Sequence, residues 1–338
     1  MPYLKELCSR TNMNNPANAL WKLTAFREEF RQKPSELVDI QESNIAYHAG
    51  ATLEQAQPVG HSVIEVNNRE DLQAVLNTNA GSGKTLFLRA GEYRLKQSLT
   101  IPSDIHICGE GRSTVLICEP TIRTAAILLG DLDAKNITIE NLVVDGSKEH
   151  QEAYDPNSGR FYRTGRYSNA LAGISMRGEA GHAFSNIKLK NLTVINFSRS
   201  GVYISDAEGI EIDHCDFTEN GAHVVPGPRL QHNLMIQHSS NIMIKDSRFD
   251  TSIRGCGLVL DHCKSLKVEN CEIARNGWHG LLMAECHNGK IENCLVEGND
   301  GCGFMGEYLH DGSNLIQIRH NKIQYNNCLL YTSDAADE

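Results

Sequence analysis

Short stretches in which apolar and polar residues alternate recur along the chain after residue 136. They read ITIEN at 137–141, IKLKN at 187–191, IEIDH at 210–214, IMIKD at 242–246, LKVEN at 266–270, KIEN at 290–293 and IQIRH at 316–320. Because a period of two places successive side chains on opposite faces of the backbone, each stretch predicts a β-strand. Their last residues lie 23 to 50 residues apart, which indicates a repeat architecture.

Two consecutive stretches have nearly the same sequence. GLVLDHCKSLKVENCEIARNG at 257–277 aligns with GLLMAECHNGKIENCLVEGNDG at 280–301 at an offset of 23 residues. A coil of this length holds about three short strands and leaves no room for a crossover helix. Equivalent strands of successive coils must therefore stack directly, which predicts a parallel β-helix. A ladder of side-chain amides is predicted at one turn, formed by Asn196, Asn220, Asn276, Asn299 and Asn326.

The chain divides into three regions on these patterns. Residues 16–31, PANALWKLTAFREEFR, and residues 69–77, REDLQAVLN, have helical apolar spacing. We predict a partly helical N-terminal extension or cap at 1–60 and the parallel β-helix at 61–327. The last stretch, CLLYTSDAADE at 328–338, does not continue the repeat and resembles a translated sequencing adapter, so it is predicted to be a non-native tail.

The entry into the repeats carries a family resemblance. DLQAVLN at 71–77, followed by LFLRAGEYRLKQSLTIPSDIHICGEGRSTVLI at 86–117, resembles the N-terminal cap and first coils of the pectin-lyase-like family. The resemblance covers residues 61–327 and implies an all-β, right-handed, single-stranded parallel β-helix with an N-terminal helical cap region. That family spans polysaccharide lyases, C5-epimerases, glycoside hydrolases and non-catalytic phage or adhesin modules, so the fold alone does not name an activity.

The motifs that define individual activities in this family are missing. The DPHE motif of mannuronan epimerases is absent, and the nearest string is DPNS at 155–158. The Asn-Thr-Asp, Asp-Asp and Gly-His-Gly set of polygalacturonases is absent, and WHG at 278–280 matches only part of it. The RxPxxR string of pectate lyases is absent as well. No catalytic residue is therefore transferred from the resemblance.

Net charge and hydropathy restrict the kinds of partner that the protein is expected to bind. The net charge is −10, from 32 basic and 42 acidic side chains, so neither nucleic acid nor an anionic membrane is expected as a partner. No apolar run approaches the ~20 residues that cross a bilayer. The first residues lack the apolar core of a signal peptide, which points to the cytoplasm but leaves the compartment open. The oligomeric state is open too.

The chain has eleven cysteines, and their spacing argues against a disulfide framework. Cys263 and Cys286 occupy one repeat position, and Cys215, Cys271 and Cys294 occupy another. Equivalent residues of a repeat stack on one another, and small buried thiols suit such a column. We therefore predict reduced cysteines.

Two insertions interrupt the repeat before the same strand. They lie at 147–170 and 222–232, and they precede AGISMR at 172–177 and NLMIQH at 233–238. Insertions on one side of a solenoid usually mark its binding face. Arg forks suit carboxylates and flat aromatic rings suit sugar faces. The substrate-binding residues predicted from these insertions and their neighbouring strands are Tyr154, Arg160, Tyr162, Arg163, Arg166, Tyr203, His223, Arg229, His232 and Tyr308.

The strand that follows the insertions ends in a row of polar residues. Aligning the coils places Asp206, His238, His262 and Glu285 in one line, with Arg177 and Asp261 on the neighbouring outward row. The four can be acid–base catalysts, ligands of a divalent cation, or polar turn residues bonded to the backbone. No cofactor is predicted, and a cation such as calcium is kept as an alternative.

The leading interpretation is a carbohydrate-active enzyme on an acidic polysaccharide or oligosaccharide. In this reading Arg177 or the arginines of the insertions neutralise a uronate carboxylate. His238 or His262 removes the C5 proton, with Tyr203 or Tyr308 as proton donor. The result would be lyase or C5-epimerase chemistry. One alternative is a glycoside hydrolase that uses Asp206, Asp261 or Glu285. The other is a non-catalytic glycan-binding or structural β-helix.

Overall fold

The computed structural model describes residues 62–119, 121–131, 133–147, 152–163, 172–178, 183–223, 231–307 and 316–332. The predicted helix at 16–31 lies outside them, as does the rest of the 1–60 extension. One predicted helix is present: α1, Leu72–Thr78, starts at Asp71, whose side chain accepts the N–H of Ala74 at 3.1 Å. Leu72 and Leu76 are its buried residues.

The strands wind into coils that contribute to three faces, and neighbouring strands of each face pair in parallel. Face A comprises β1 Val63–Val66, β2 Thr85–Leu88, β5 Ile105–Gly109, the first half of β8 Lys135–Asp145, the first half of β12 Phe184–Ile195, β14 Ala207–Asp213, β17 Ser240–Lys245, β20 Lys264–Glu269, β23 His287–Glu292 and β26 Ile316–Arg319. Face B comprises β3 Gly91–Leu95, β6 Thr114–Cys118, the second halves of β8 and β12, β15 Asp216–Thr218, β18 Arg248–Asp250, β21 Glu272–Ala274, β24 Leu295–Glu297 and β27 Lys322–Gln324. Face C comprises β4 Leu99–Ile101, β7 Ala125–Leu129, β11 Ala172–Arg177, β13 Ser200–Ser205, β16 Leu234–Gln237, β19 Leu258–Asp261, β22 Leu281–Ala284, β25 Cys302–Glu307 and β28 Cys328–Thr332.

The interior is one continuous apolar core. Strands of all three faces alternate, and their inward positions are fully buried, as predicted for Ile174 and Met176 on β11 and for Val202 and Ile204 on β13. Two aromatic rings of neighbouring coils also meet on face B, where Phe217 and Phe249 pack edge to face with ring centroids 5.8 Å apart. Because each apolar residue packs on its equivalents above and below, the coils stabilise one another.

The corner between faces A and B turns on one residue of positive φ in each coil. These residues are the last residues of the predicted alternating stretches: Asn141, Asn191, His214, Asp246, Asn270, Asn293 and His320. Asn, Asp and His adopt the left-handed region more readily than other residues with a side chain. The polar end of each stretch is therefore a requirement of the backbone turn.

The corner between faces B and C holds the buried amide ladder. Asn276 Nδ2 donates to Asn299 Oδ1 at 2.8 Å, and Asn299 Nδ2 donates to Asn326 Oδ1 at 2.7 Å, as predicted. Each amide also donates to a backbone carbonyl of the preceding coil, for example Asn276 to Phe249 O. Asn196 differs, because its Nδ2 donates to Asp145 Oδ1 at 3.1 Å.

Between Asn220 and Asn276 the ladder passes through Asn233, which the sequence did not predict. Asn233 Oδ1 accepts from Asn220 Nδ2 at 3.0 Å, and Asn233 Nδ2 donates to Asn276 Oδ1 at 3.1 Å. Asn233 is 0% exposed, so the bridge is made inside the protein. In this coil Ser252 occupies the position that carries Asn in its neighbours, and Asn233 supplies the missing amide.

The position of Asn233 is a glycine in the neighbouring coils. A Cβ at Gly257 would lie 2.6 Å from Asn276 Nδ2, and one at Gly280 would lie 2.8 Å from Asn299 Nδ2. The ladder amide therefore occupies the space that a side chain at the glycine position would need. The small side chain of Ser252 leaves that space free, and the side chain of Asn233 fills it from the glycine position.

This exchange predicts a strong coupling between positions 233 and 252. Asn233→Gly alone should lower the free energy of unfolding by about 2 kcal/mol, because it removes a buried amide and its hydrogen bonds. Ser252→Asn alone should cost about 1–3 kcal/mol by overpacking against Asn233. The double variant restores the glycine–asparagine arrangement and should be more stable than either single variant in denaturant unfolding.

Lys264→Gln, at an exposed position of β20, serves as the control and should change stability by less than about 0.5 kcal/mol. Additive losses in the double variant would contradict the exchange.

The ten cysteines in the described ranges are free thiols, in agreement with the predicted stacking. Cys263 and Cys286 lie on neighbouring coils, and so do Cys271 and Cys294, with their sulfurs bonded to backbone carbonyls. Burial raises the pKa of Cys118 to about 12 and that of Cys215 to about 12. Thiols with such a pKa are almost fully protonated near neutral pH.

These thiols should therefore be unreactive in the folded protein. Near pH 8, roughly the pKa of a free thiol, an alkylating reagent should label Cys118 and Cys215 only after unfolding, as read by mass spectrometry of peptides. Cys302, which is half-buried, should be labelled faster and provides the comparison within the same sample. Labelling of Cys118 in the native state at the rate seen in denaturant would show that the coil is open there.

The stacking continues beyond the predicted end of the repeat. β28 pairs in parallel with β25, with Cys328 opposite Cys302 and Leu330 opposite Phe304. The backbone of Cys328–Thr332 thus extends face C by one strand. The adapter origin of residues 328–338 stays a prediction.

Candidate functional site on face C

The outer surface of face C carries one outward row along the ends of its strands. Register pairs Arg177 with Ser205, then Gln237, Asp261 and Ala284 on successive strands. Neighbouring strands lie about 4.8 Å apart. A side chain in this row can therefore reach its equivalents on the adjacent coils.

The predicted line of four lies immediately after this row, at the corner between faces C and A. Asp206, His238, His262 and Glu285 all have positive φ, at 58°, 46°, 52° and 47°. The left-handed turn thus favours Asp and His here for backbone reasons, as the turn-residue alternative anticipated. Asp206 is half-buried, whereas His238, His262 and Glu285 are exposed.

Three of these side chains contact one another. The ring centroids of His238 and His262 are 4.8 Å apart, with an interplanar angle of 35°. His262 Nε2 lies 2.9 Å from Glu285 Oε2, and its Nδ1 lies 2.7 Å from Asp261 Oδ1. Both nitrogens of His262 therefore face carboxylates, and an imidazolium would donate to both.

Hydrogen bonds extend from Asp261 to Gln237 of the outward row, and from there to Tyr203, which lies two residues before Ser205. Tyr203 donates its hydroxyl to Gln237 Oε1 at 2.7 Å, and Gln237 Nε2 donates to Asp261 Oδ2 at 2.6 Å. The guanidinium of Arg177 lies 4.6 Å from the centroid of the Tyr203 ring, within cation–π distance. We name the resulting run of contacts the polar chain: Arg177, Tyr203, Gln237, Asp261, His262 and Glu285.

The contacts of the polar chain distinguish side chains whose polar atoms are already bonded from a neighbouring side chain that can still bind a ligand. Asp261 uses both carboxylate oxygens and His262 uses both ring nitrogens within it. His238 is exposed, and no hydrogen bond from another described residue engages its ring nitrogens. Its ring lies against that of the clamped His262 at a tilt of 35°. His238 is thus the histidine that can accept a proton from a bound molecule.

Apolar side chains cover the middle of face C. Met235 and Val259 are 8% and 3% exposed and pack with Cys256 in a cluster outside the main core, against which Tyr203, Trp278 and Leu282 are half-buried. Sequence reasoning noted Trp278 only as part of a motif fragment. An aromatic ring beside a polar row is a common arrangement for holding the apolar face of a sugar.

The first insertion contains an antiparallel hairpin, β9 Glu152–Asp155 and β10 Arg160–Arg163. Tyr154, Tyr162 and Arg163 lie on its strands, and their side chains are outside the described part of the structure. Arg160 is exposed. Three predicted binding residues fall wholly outside the described ranges: Arg166, Arg229 and Tyr308.

The two histidines of the second insertion differ in position. His223 is half-buried, and its carbonyl accepts from Arg254 at 3.3 Å. His232 is only 2% exposed, and its Nδ1 accepts the backbone N–H of Cys256 at 2.9 Å. The predicted surface role of His232 is therefore corrected to a structural one. His279 does the same for Cys302 two coils further along, a recurrence visible in the sequence.

Groups of potential metal ligands occur on another face of the coil. In the described ranges, three ligand atoms converge within 4.8 Å at His106, Cys108 and Glu140 and at Asp213, His214 and Asp246. Neither group includes a residue of face C. In the same ranges, no helix has the length and apolar character of a membrane span.

The link between Tyr203 and Gln237 can be measured by a double-mutant cycle. Tyr203→Phe and Gln237→Leu each remove one partner of the 2.7 Å hydrogen bond. We expect a coupling energy of about 0.5–1.5 kcal/mol in the free energy of unfolding, because the bond is half-buried. Tyr203→Phe combined with Asn288→Ala should be additive. Additivity in the first cycle as well would mean that the polar chain is not formed in solution.

Comparison with solved structures finds similar chains at low sequence identity. PfbA, a surface adhesin of Streptococcus pneumoniae, is 11% identical, covers 81% of this chain and 75% of its own, and gives a TM-score of 0.54. The A-module of mannuronan C-5 epimerase AlgE6 of Azotobacter vinelandii is 13% identical over 79% and 78%, with a TM-score of 0.44. A polygalacturonase of Erwinia carotovora is 14% identical over 79% and 84%, with a TM-score of 0.46.

At identities this low, similarity to a solved structure bears on the fold and not on the activity. The chain matches none of the curated proteins with which it was compared. A family match confirms the predicted all-β, right-handed β-helix architecture. Residues 125–337, more than half of the chain, match the family described as "Right handed beta helix region", and the chain therefore belongs to the right-handed β-helix family.

Proposed function

We propose that the protein is a carbohydrate-active enzyme that binds an acidic polysaccharide along the outside of face C and removes the C5 proton of a uronate unit. One observation carries the proposal: His238 presents a ring free of hydrogen bonds from other described residues, stacked on a His262 that two carboxylates hold. A general base needs an accessible nitrogen in a fixed orientation. His238 meets both conditions.

Arg177 supplies the charge that an acidic sugar requires. Its side chain is exposed at one end of the polar chain, and the Tyr203 ring supports it. A guanidinium can bind a carboxylate through two parallel hydrogen bonds. Tyr203 donates its hydroxyl to Gln237, so it serves here as a support for Arg177.

The chemistry follows from these positions. A nitrogen of His238 takes the C5 proton, and the electron pair left at C5 spreads into the adjacent carboxylate, whose charge Arg177 stabilises. In a lyase that pair forms the C4–C5 double bond and the C4–O bond breaks, with a proton going to the departing oxygen. In an epimerase a proton returns to C5 from the opposite side.

The carboxylates are less suited to glycoside hydrolysis. Asp206 and Glu285 are three strands apart, roughly 14 Å along the axis, whereas an inverting pair is ~6.5–9.5 Å apart. Asp261 and Glu285 are closer, but the imidazole of His262 fills the space between them. Water and sugar would have no room there. A non-catalytic glycan-binding role remains an outcome of the test below.

The proposal is tested on a panel of uronate polymers with the full chain. Unsaturated product is read by ultraviolet absorbance, and exchange at C5 is read by uptake of solvent deuterium. His238→Gln should lower kcat by about 10²–10⁴-fold, the usual contribution of a general base. Arg177→Gln should mainly raise KM for the acidic polymer.

His214→Gln, an exposed histidine on face A, is the matched control and should leave both constants unchanged. Parallel assays with added calcium and with a chelator show whether a cation takes part. Full activity of His238→Gln would contradict the assignment of the base. Reducing ends from neutral glycans without unsaturated product would favour hydrolysis, and binding without turnover would favour the binding role.

A further inference from the structure

A second group of reactive side chains lies on face A, away from the candidate site. His106 and Cys108 stand two residues apart on β5, so both point outward, and Glu140 on β8 is the register partner of Cys108. Their ligand atoms, His106 Nε2, Cys108 Sγ and a carboxylate oxygen of Glu140, belong to one group within 4.8 Å. Nothing in the proposed glycan chemistry uses them.

His106 and Cys108 each have a further partner outside the group. His106 Nδ1 lies 3.0 Å from Thr85 Oγ1, and its Nε2 lies 2.8 Å from Glu140 Oε1. Asn141 Nδ2 donates to Cys108 Sγ at 3.4 Å. Metal-binding histidines commonly bond their second nitrogen to an oxygen, and N–H groups directed at sulfur favour a thiolate.

The surroundings are partly shielded from water but not closed. Cys108 is 1% exposed, whereas the side chains of His106 and Glu140 are 28% and 23% exposed. The nearest cation on the next strand, Lys190, pairs with Glu211 at 3.0 Å. The group therefore has three donors on one side and an open side toward solvent.

We propose that His106, Cys108 and Glu140 form a binding site for a divalent transition metal ion of the zinc class. Thiolate and imidazole donors select zinc or cobalt over calcium or magnesium. One thiolate and one carboxylate also balance a charge of two. The open side leaves the fourth position of a tetrahedral ion for water or another ligand.

The geometry needs only a small adjustment. Nitrogen and oxygen ligands of zinc lie ~2.0–2.1 Å from the metal, so in a tetrahedron they are about 3.3 Å apart. His106 Nε2 and Glu140 Oε1 are now 2.8 Å apart, and both side chains are exposed enough to move by that difference. The ion would tie β5 to β8, and thus two successive coils.

The other convergent group is less suited to the same ion. Asp213, His214 and Asp246 lack sulfur, and His214 and Asp246 are exposed. Lys245 Nζ is 3.2 Å from Asp213 Oδ2, and Asn270 Nδ2 donates to Asp246 Oδ1 at 3.1 Å. These carboxylates already have partners, so this group provides a control.

The test is a cobalt titration of the metal-free full chain. Cobalt bound to the Cys108 thiolate should give a sulfur-to-cobalt charge-transfer band in the near ultraviolet, and added zinc should abolish it. Cys108→Ser should lose the band. Glu140→Gln should keep the band but weaken cobalt binding by at least about 10-fold, the scale expected for lost ligand support. Asp246→Asn should bind as the wild type does.

Circular dichroism of each metal-free variant establishes that it is folded. In addition, zinc should raise the Tm of the wild type and not that of Cys108→Ser. A wild type without the band, or a band that persists in folded Cys108→Ser, would overturn the site.

Discussion

The direct stacking of equivalent residues, about 4.8 Å apart on successive strands, is the constraint on which the rest of the structure depends. A side chain in such a column lies against its own equivalents, so a polar residue inside must be satisfied by the next coil. The buried amides achieve this from Asn220 to Asn326. Asn233 shows how strict the requirement is, because it restores the column from a glycine position where Ser252 lacks the amide.

The same stacking builds the candidate site. Gln237 and Asp261 are register partners, and Tyr203 lies one strand before them, so three ordinary polar residues become a hydrogen-bonded run. Asp261 at the end of that run and Glu285 on the next coil hold His262 by its two nitrogens, and the neighbouring ring of His238 stays available. Regular coils thus fix the positions of the groups, while the differences between coils supply the chemistry.

Much of this follows from the sequence. Period-two alternation and the 23-residue offset define the strands, the inward residues and the columns, because in a parallel stack equivalent positions must be neighbours. The amides Asn276, Asn299 and Asn326 were predictable for that reason. Side-chain partners across columns were not, because they depend on rotamers. The sequence therefore suggested a surface position for His232, although its ring accepts a hydrogen bond from the backbone of Cys256. It also did not show that Asp261 contacts both Gln237 and His262.

The direct measurement of the central claim is a crystal structure of the full chain with a bound uronate oligosaccharide. We expect the sugar to lie along the outside of face C, with a carboxylate at the guanidinium of Arg177 and a C5–H directed at a ring nitrogen of His238. Density for the sugar on face A or B, or on face C with His238 turned away from every C5, would contradict it.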